Sequence, residues 1–211
     1  MRFFLLLFTV LLSSSLAAQP ATRIVAPASW PAAIPYKGQP VALLTWQQPD
    51  GTHYLSLCSS SITEDEEGSR SQYLYALHAI VSGDSVAVVW KMQDYVQDCP
   101  VDVVCRWVDI SGKKTTPSFV QLTDLDSDGE PEIWLLYRTA CHGDVSPADQ
   151  KLLMYDGAQK HALRGTTKLQ VGSTLKMGGD YKADAAMLAA PAALRARASQ
   201  LWQQFGSLKI E

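Results

Sequence analysis

Thr-Asp-Leu-Asp-Ser-Asp-Gly-Glu-Pro-Glu, residues 123–132, alternates acidic side chains with other residues between two short apolar runs. The runs are 118–122, Ser-Phe-Val-Gln-Leu, and 133–137, Ile-Trp-Leu-Leu-Tyr. Both runs are short and contain β-branched and aromatic residues, which favours strands over helices. The stretch therefore predicts two β-strands joined by a tight acidic loop.

The acidic loop has the composition of a calcium site. Calcium takes roughly six to eight oxygen ligands at about 2.3–2.6 Å, supplied by carboxylates and backbone carbonyls. Gly129 lies where the loop must turn sharply, and glycine adopts the required backbone angles easily. Pro131 favours an extended Glu130, which helps to aim the Glu130 carbonyl into the loop. The predicted ligands of a structural Ca²⁺ are Asp124, Asp126, Asp128, Glu130 through its carbonyl, and Glu132.

Two other interpretations of the loop are weaker. A helix–loop–helix calcium site requires a bidentate Glu at the twelfth position, which here is Leu135. A plain solvated turn leaves its carboxylates repelling one another, at roughly 1 kcal/mol for a pair about 4 Å apart in water and about 4 kcal/mol at an effective dielectric of 20. A cation removes this repulsion. Because all the ligands come from one loop, we expect a structural rather than a catalytic site.

The pattern D-x-D-x-D-G-x-x-[DE] between strands resembles the calcium loops of integrin-like FG-GAP and VCBS repeats. In those repeats the loop caps a strand of a β-propeller blade. The resemblance covers residues 118–138, and no second copy of the aspartate pattern occurs in the chain. It therefore implies one calcium loop and does not support a full propeller.

The N-terminal residues have the three parts of an export signal. Arg2 supplies a positive charge, residues 3–12 are apolar, and residues 13–18 are mostly small, with cleavage expected after Ala17 or Ala18. The apolar run is too short for a bilayer of about 30 Å, and no later run is apolar enough to span one. We expect a signal peptide at 1–18, an extended N-terminal arm at 19–40, a single β-rich domain at 41–211, and a periplasmic or secreted location.

Composition limits the partners and predicts disulfides. The formal charge of the chain is −3 with no basic field, which argues against a nucleic-acid partner. Six Trp and eight Tyr can fill a core or form a sugar-stacking surface. Four cysteines without C-x-x-C spacing in an oxidising compartment predict two disulfides. Cys58, Cys99, Cys105 and Cys141 allow three pairings, between which their spacing does not decide.

The remaining patterns predict an α+β fold that is mostly an antiparallel β-meander of hairpins with one C-terminal amphipathic helix. Turn signals such as Asp156-Gly157 separate short apolar runs. Helical spacing occurs at 191–205, where one apolar face recurs. That face consists of Leu194, Ala198, Leu201, Trp202 and Phe205. The predicted hairpins are 41–46 with 53–59, 72–81 with 85–92, and 151–155 with 159–164, and 171–184 is expected to be a Gly-rich loop.

Two loops contain groups that a hydrolase uses. Segment 141–149 contains His, Asp and Ser, and segment 94–102 contains three aspartates. A nucleophile, a base and an orienting group must meet at hydrogen-bond distance, and neighbours on one loop rarely do. We therefore favour structural roles and assign no catalytic residue. The alternative, a periplasmic hydrolase or inhibitor, would use His142, Asp144, His78, Asp94, Asp98 and Asp102.

A larger resemblance covers residues 72–206. The motif order is 94–102, 122–129, 137–147, 151–155 and 162–165. It is similar to a family of exported Gram-negative proteins of unresolved biochemistry, some of which are labelled surface-polysaccharide biosynthesis proteins. The resemblance implies that Cys99 pairs with Cys141, which leaves Cys58 with Cys105, and that the 94–102 loop lies beside 141–149. The expected function is a non-catalytic binding or assembly module that acts on surface polysaccharide or an envelope protein, and exposed Trp and Tyr near the calcium loop would support it.

Overall fold

The computed structural model describes residues 22–113, 118–172 and 175–210, so the expected signal peptide at 1–18 lies outside the described residues. The first of two large antiparallel sheets contains six strands that pair in the order β1-β2-β3-β5-β6, with β4 pairing the start of β5. These strands are β1 Arg23–Ile24, β2 Gln39–Gln48, β3 Gly51–Ser59, β4 Thr63–Glu64, β5 Arg70–Ser82 and β6 Ser85–Cys99.

The second large sheet places β7 and β8 on one edge of β9, and continues through β10 and β11 to β14. A third, small sheet joins β12 to β13, and to β15, which runs parallel to it. The bounds are β7 Val103–Trp107, β8 Val120–Thr123, β9 Glu132–Cys141, β10 Asp149–Asp156, β11 Gln159–Thr166, β12 Lys168–Val171, β13 Leu175–Met177, β14 Tyr181–Ala183 and β15 Ser207–Ile210. The mostly antiparallel α+β prediction is confirmed.

The two large sheets pack face to face because their strands direct alternate side chains to opposite faces. Leu55 and Leu57 of β3 and Leu74 of β5 pack in one cluster with Leu135 of β9, and all four side chains are fully buried. Burial of each such side chain contributes about 1.5–3 kcal/mol before the entropy of ordering it. The inter-sheet core therefore stabilises the ends of β8 and β9, between which the acidic loop lies.

β9 is buried on both faces, which explains its uninterrupted apolar sequence. Ile133 and Leu135 face the first sheet, whereas Trp134 and Leu136 pack against the C-terminal helix on the other side. That helix, α2, spans Ala192–Phe205. The predicted apolar face is confirmed, since four of its members are buried against the sheet and Phe205 is partly buried.

A short helix, α1 Ala185–Ala189, precedes α2 and lies outside the sequence prediction, which had only a Gly-rich loop up to 184. Asp184 caps α1 by accepting a hydrogen bond of 2.9 Å from the Met187 N–H. Within the part of the chain that the structure describes, no helix combines the length and apolar character that a bilayer crossing requires.

The described part of the expected N-terminal arm packs on the outer face of the first sheet. β1 pairs with β2, and a 3₁₀ turn follows at Pro27–Ser29. Trp30 and Ile34 are buried there against Leu43 and Leu77, and Trp30 Nε1 donates to the Ile34 carbonyl at 2.7 Å. The two sheets, this segment and the helices thus form four layers around three apolar clusters.

One of the two predicted disulfides is formed. Cys99 bonds to Cys141, which confirms that pair and joins the ends of β6 and β9. The predicted bond between Cys58 and Cys105 is wrong, because both thiols are free and buried. Cys105 faces the inter-sheet cluster with Leu57, whereas Cys58 follows Leu57 in β3 and so faces the opposite side of the sheet. Burial raises the pKa of each thiol to about 11.

Candidate metal centre and neighbouring clefts

The acidic loop leaves β8 after Thr123 and enters β9 at Glu132, and these two residues are paired across the hairpin. The turn needs two positive φ angles, 63° at Ser127 and 90° at Gly129. Glycine adopts such an angle without the steric penalty that a side chain brings. The loop therefore folds back on itself, as the sequence predicts, between two strands and not between helices.

Three of the five predicted ligands are brought together. One carboxylate oxygen from each of Asp124, Asp126 and Asp128 lies within 4.8 Å of the other two. Asp126 and Asp128 are exposed, whereas Asp124 Oδ1 is buried and has no hydrogen-bond partner. A buried carboxylate oxygen without a donor is costly in a folded protein. The three groups fit a hard divalent cation that would supply the missing partner.

Glu132 has a different position from the one predicted for it. Its buried carboxylate accepts hydrogen bonds from the Thr123 hydroxyl and, at 2.9 Å, from the Leu125 N–H. The Thr123 hydroxyl in turn accepts from Trp134 Nε1 at 2.7 Å. Burial raises the pKa of Glu132, against the lowering effect of these donors. Glu132 thus anchors the loop backbone to β9 and lies outside the aspartate group.

Glu130 is exposed, and its N–H donates to Asp128 Oδ1 at 2.8 Å, which fixes the turn after Gly129.

Asp156 lies near the three aspartates, a proximity that the sequence analysis did not predict. Burial raises the pKa of Asp156, and the negative charges of Asp126 and Asp128 raise it further. Asp156 ends β10 and begins the turn to β11, so the two hairpin turns lie side by side at one end of the sheet. The Asp-Gly signal that identified this turn could have suggested the proximity, since β9 and β10 are consecutive antiparallel strands.

Comparison with known proteins gives no match to a family model, a curated protein or a solved structure.

The groups named for a hydrolase do not converge. The disulfide does bring the 94–102 and 141–149 segments together, but Asp94 is engaged by Lys151 and by the Tyr137 hydroxyl at 2.6 Å. Burial alone would raise the pKa of Asp94, but the hydrogen bonds from Lys151 and Tyr137 lower it. Asp144 accepts from the neighbouring Ser146 hydroxyl at 2.8 Å. None of these residues lines the cleft that contains His78.

That cleft, of about 460 Å³, lies between the β2–β3 turn of the first sheet and the acidic loop of the second. A hydrogen-bonded chain of side chains borders it. His53 Nε2 is 2.8 Å from Asp50 Oδ1, and His53 Nδ1 is 3.0 Å from His78 Nε2. An ionised carboxylate only accepts hydrogen bonds, so His53 Nε2 carries the proton that it shares with Asp50. When the His53 ring is neutral, its Nδ1 has no proton and accepts a hydrogen bond from His78 Nε2. His78 Nδ1 is then an acceptor, and it is buried without a partner.

A second surface lies on the outer face of the first sheet. Tyr73 and Tyr75 of β5 have ring planes 3° apart with centroids at 6.1 Å, and Tyr95 lies opposite Tyr73 on β6 with its ring centroid 5.7 Å away. Tyr95 is 49% exposed. We call these three residues the tyrosine strip. A cleft of about 280 Å³ adjoins Tyr75, and its lining includes Lys37 and Lys91 but no carboxylate.

Proposed function

We propose that the protein is an exported, non-catalytic binding module of the cell envelope whose fold is stabilised by one Ca²⁺ and which binds surface polysaccharide. Export is supported by the N-terminal signal pattern and by the Cys99–Cys141 disulfide, which suits an oxidising compartment. The resemblance proposed for residues 72–206 would imply the same compartment. The metal and the polysaccharide are separate parts of the proposal, and each has its own experiment.

The observation that carries the calcium proposal is the buried, unpartnered Oδ1 of Asp124 beside Asp126 and Asp128. Asp124, Asp126 and Asp128 would hold the ion. Bound there, Ca²⁺ would neutralise the repulsion among these carboxylates and Asp156, and would fix the turn between β8 and β9. Its role is structural, because its protein ligands come from one loop.

Thermal unfolding with calcium and with chelator tests the metal. At a free calcium concentration 100-fold above the dissociation constant, binding stabilises the folded state by about 2.7 kcal/mol. For a chain of this size the melting temperature should rise by roughly 5–10 °C. Asp126→Asn should remove the calcium response, and Asp84→Asn, in the exposed β5–β6 turn, is the matched control that should retain it. Equal melting temperatures in calcium and chelator for the unsubstituted protein would remove calcium from the proposal.

The tyrosine strip supports the polysaccharide part of the proposal. Sugar rings present faces of C–H groups that pack on exposed aromatic rings, and their hydroxyls need hydrogen-bonding neighbours. The strip offers stacked rings, and the Gln97 amide donates to the Tyr73 hydroxyl in the same row. Lys37 lies 5.8 Å from the Tyr75 ring centroid. Lys37 and Lys91 give this end of the surface a positive charge, which favours an acidic polysaccharide. The strip lies on the outer face of the first sheet, whereas our expectation placed such aromatic residues near the calcium loop.

Calorimetric titration with alginate oligosaccharides, and with uncharged dextran oligosaccharides for comparison, tests this surface. Tyr95→Ala should weaken alginate binding about 5- to 10-fold, which corresponds to about 1–1.4 kcal/mol. Tyr181→Ala removes another exposed tyrosine ring, from the second sheet, and should leave the affinity unchanged. Unaltered affinity in Tyr95→Ala, or no binding to any acidic polysaccharide, would contradict the assignment without affecting the calcium result.

A further inference from the structure

The cleft beside the acidic loop is lined by negatively charged side chains. Its lining includes three carboxylates, from Asp50, Asp128 and Glu130, and no lysine or arginine. The carboxyl of Asp50 is held ionised, because the hydrogen bond from His53 lowers its pKa. Calcium in the loop would neutralise Asp128, but Asp50 and the side chain of Glu130 lie outside the proposed ligand set. The cleft therefore keeps a negative rim with or without the metal.

One hydrogen-bond acceptor in the wall of the cleft, His78 Nδ1, has no donor. The chain from Asp50 through His53 ends on the Nδ1 acceptor of His78, a side chain that is only 4% exposed and lines the cleft. A buried acceptor without a donor is unusual in a folded protein. This observation is independent of the acidic rim. Trp46 Nε1, a donor in the same wall, is also buried without a partner, so it is the acidic rim that selects a ligand with a positively charged, hydrogen-bond-donating group.

Most of the rest of the lining is apolar, and Gln48 is a further polar residue in it. Trp46 stacks on His78 with ring planes 16° apart and centroids at 5.4 Å. Ile80, Val89 and Ile133 also line the wall. Pockets of about 300–1,000 Å³ that are mostly apolar with a few convergent polar groups commonly bind small molecules, and aromatic faces attract cations. The volume of about 460 Å³ is suited to a small ligand.

We infer that this cleft binds a small organic ammonium ion with a short apolar body. The charged nitrogen lies at the rim between Asp50 and Glu130, with its N–H groups directed to the carboxylates and toward the His78 side of the wall. The apolar body packs on Ile80 and Ile133. This site differs from the tyrosine strip, lies between the sheets and not on an outer face, and does not depend on the polysaccharide proposal.

Calorimetric titration with 3-methylbutylammonium tests the inference, with 3-methylbutan-1-ol as the uncharged molecule of the same shape and 3-methylbutanoate as the anion. The ammonium ion should bind at least tenfold more tightly than the alcohol, and the anion should not bind. Asp50→Asn keeps an acceptor for His53. Asp50→Asn and Glu130→Gln should each lower the affinity for the ammonium ion by about 3- to 10-fold, because solvent partly screens the ion pair that each carboxylate forms with the ligand. Glu66→Gln, in the exposed β4–β5 loop, is the control that should have no effect.

Two measurements keep the inference separate from the calcium site. The titration is repeated with saturating calcium and with chelator, and the ammonium ion should bind in both. Loss of ammonium binding on addition of calcium would show simple competition for the loop carboxylates and overturn the inference. Equal binding of alcohol and ammonium ion would also overturn it. Should Asp50→Asn fail to fold, Glu130→Gln still decides the question, since Glu130 is exposed on a loop.

Discussion

Lowering the pH from 7 to 5 should destabilise the protein through His78. The imidazole is only 4% exposed, and its Nε2 is hydrogen-bonded to His53 Nδ1 at 3.0 Å. Burial, with a smaller contribution from the nearby charge of His53, lowers the pKa of His78 from 6.5 to about 3. Protonation in the folded state would place a charge among Trp46 and Trp90, whose rings pack against the imidazole.

The size of this loss of stability follows from the pKa values of His78 in the folded and unfolded states. Its folded-state pKa lies below the unfolded-state value, so the unfolded chain binds the proton first as the pH falls. The contribution to stability is therefore fully present above pH 6.5 and is lost as the pH falls toward 3. Proton linkage gives a loss of about 2 kcal/mol between pH 7 and pH 5, and of about 5 kcal/mol in total below pH 3.

Urea unfolding at pH 7, 6 and 5, at constant free calcium, measures this loss against His78→Gln. The glutamine amide can still donate to His53 but does not titrate. The unsubstituted protein should lose about 2 kcal/mol relative to the variant by pH 5, with similar urea m-values. His142→Gln, in the 141–149 loop, should follow the unsubstituted protein. If the unsubstituted protein and His78→Gln showed parallel pH dependence, His78 would not be held neutral by burial.

Three further changes test the rest of the structure. Reduction of Cys99–Cys141 opens a loop with a sequence separation of 42 residues and should lower the free energy of unfolding by about 4 kcal/mol, as measured by urea unfolding with and without reductant. Glu132→Gln should destabilise the protein by about 1–3 kcal/mol through its lost loop hydrogen bonds, yet keep the rise in melting temperature on adding calcium; loss of that rise would restore Glu132 as a ligand. Cys58 and Cys105 should react with a thiol reagent at pH 8 only as fast as the protein unfolds, whereas reaction at the rate of free cysteine would contradict their burial.

Much of the fold could be predicted from local patterns. The apolar runs around 123–132 and the Asp156-Gly157 turn predict their hairpins because alternation and turn chemistry act over a few residues. The three aspartates of the loop lie together for the same reason, since the turn at Gly129 is local. Glu132 was misplaced because its burial depends on Thr123 and Trp134, and the spacing of acids does not reveal which carboxylate a strand turns inward.

Residue spacing within one element was enough to predict the main hairpins, the helix face and the acidic loop, whereas β13 and β14 lie in the segment predicted as a loop. Which elements meet became evident only from their packing in the folded chain. That packing placed Asp156 beside the loop aspartates, put Cys58 and Cys105 on opposite sides of a sheet, and joined Asp50, His53 and His78 at a cleft. These contacts depend on strand order and on how the two sheets stack. Local residue spacing does not reveal which distant segment a strand packs against.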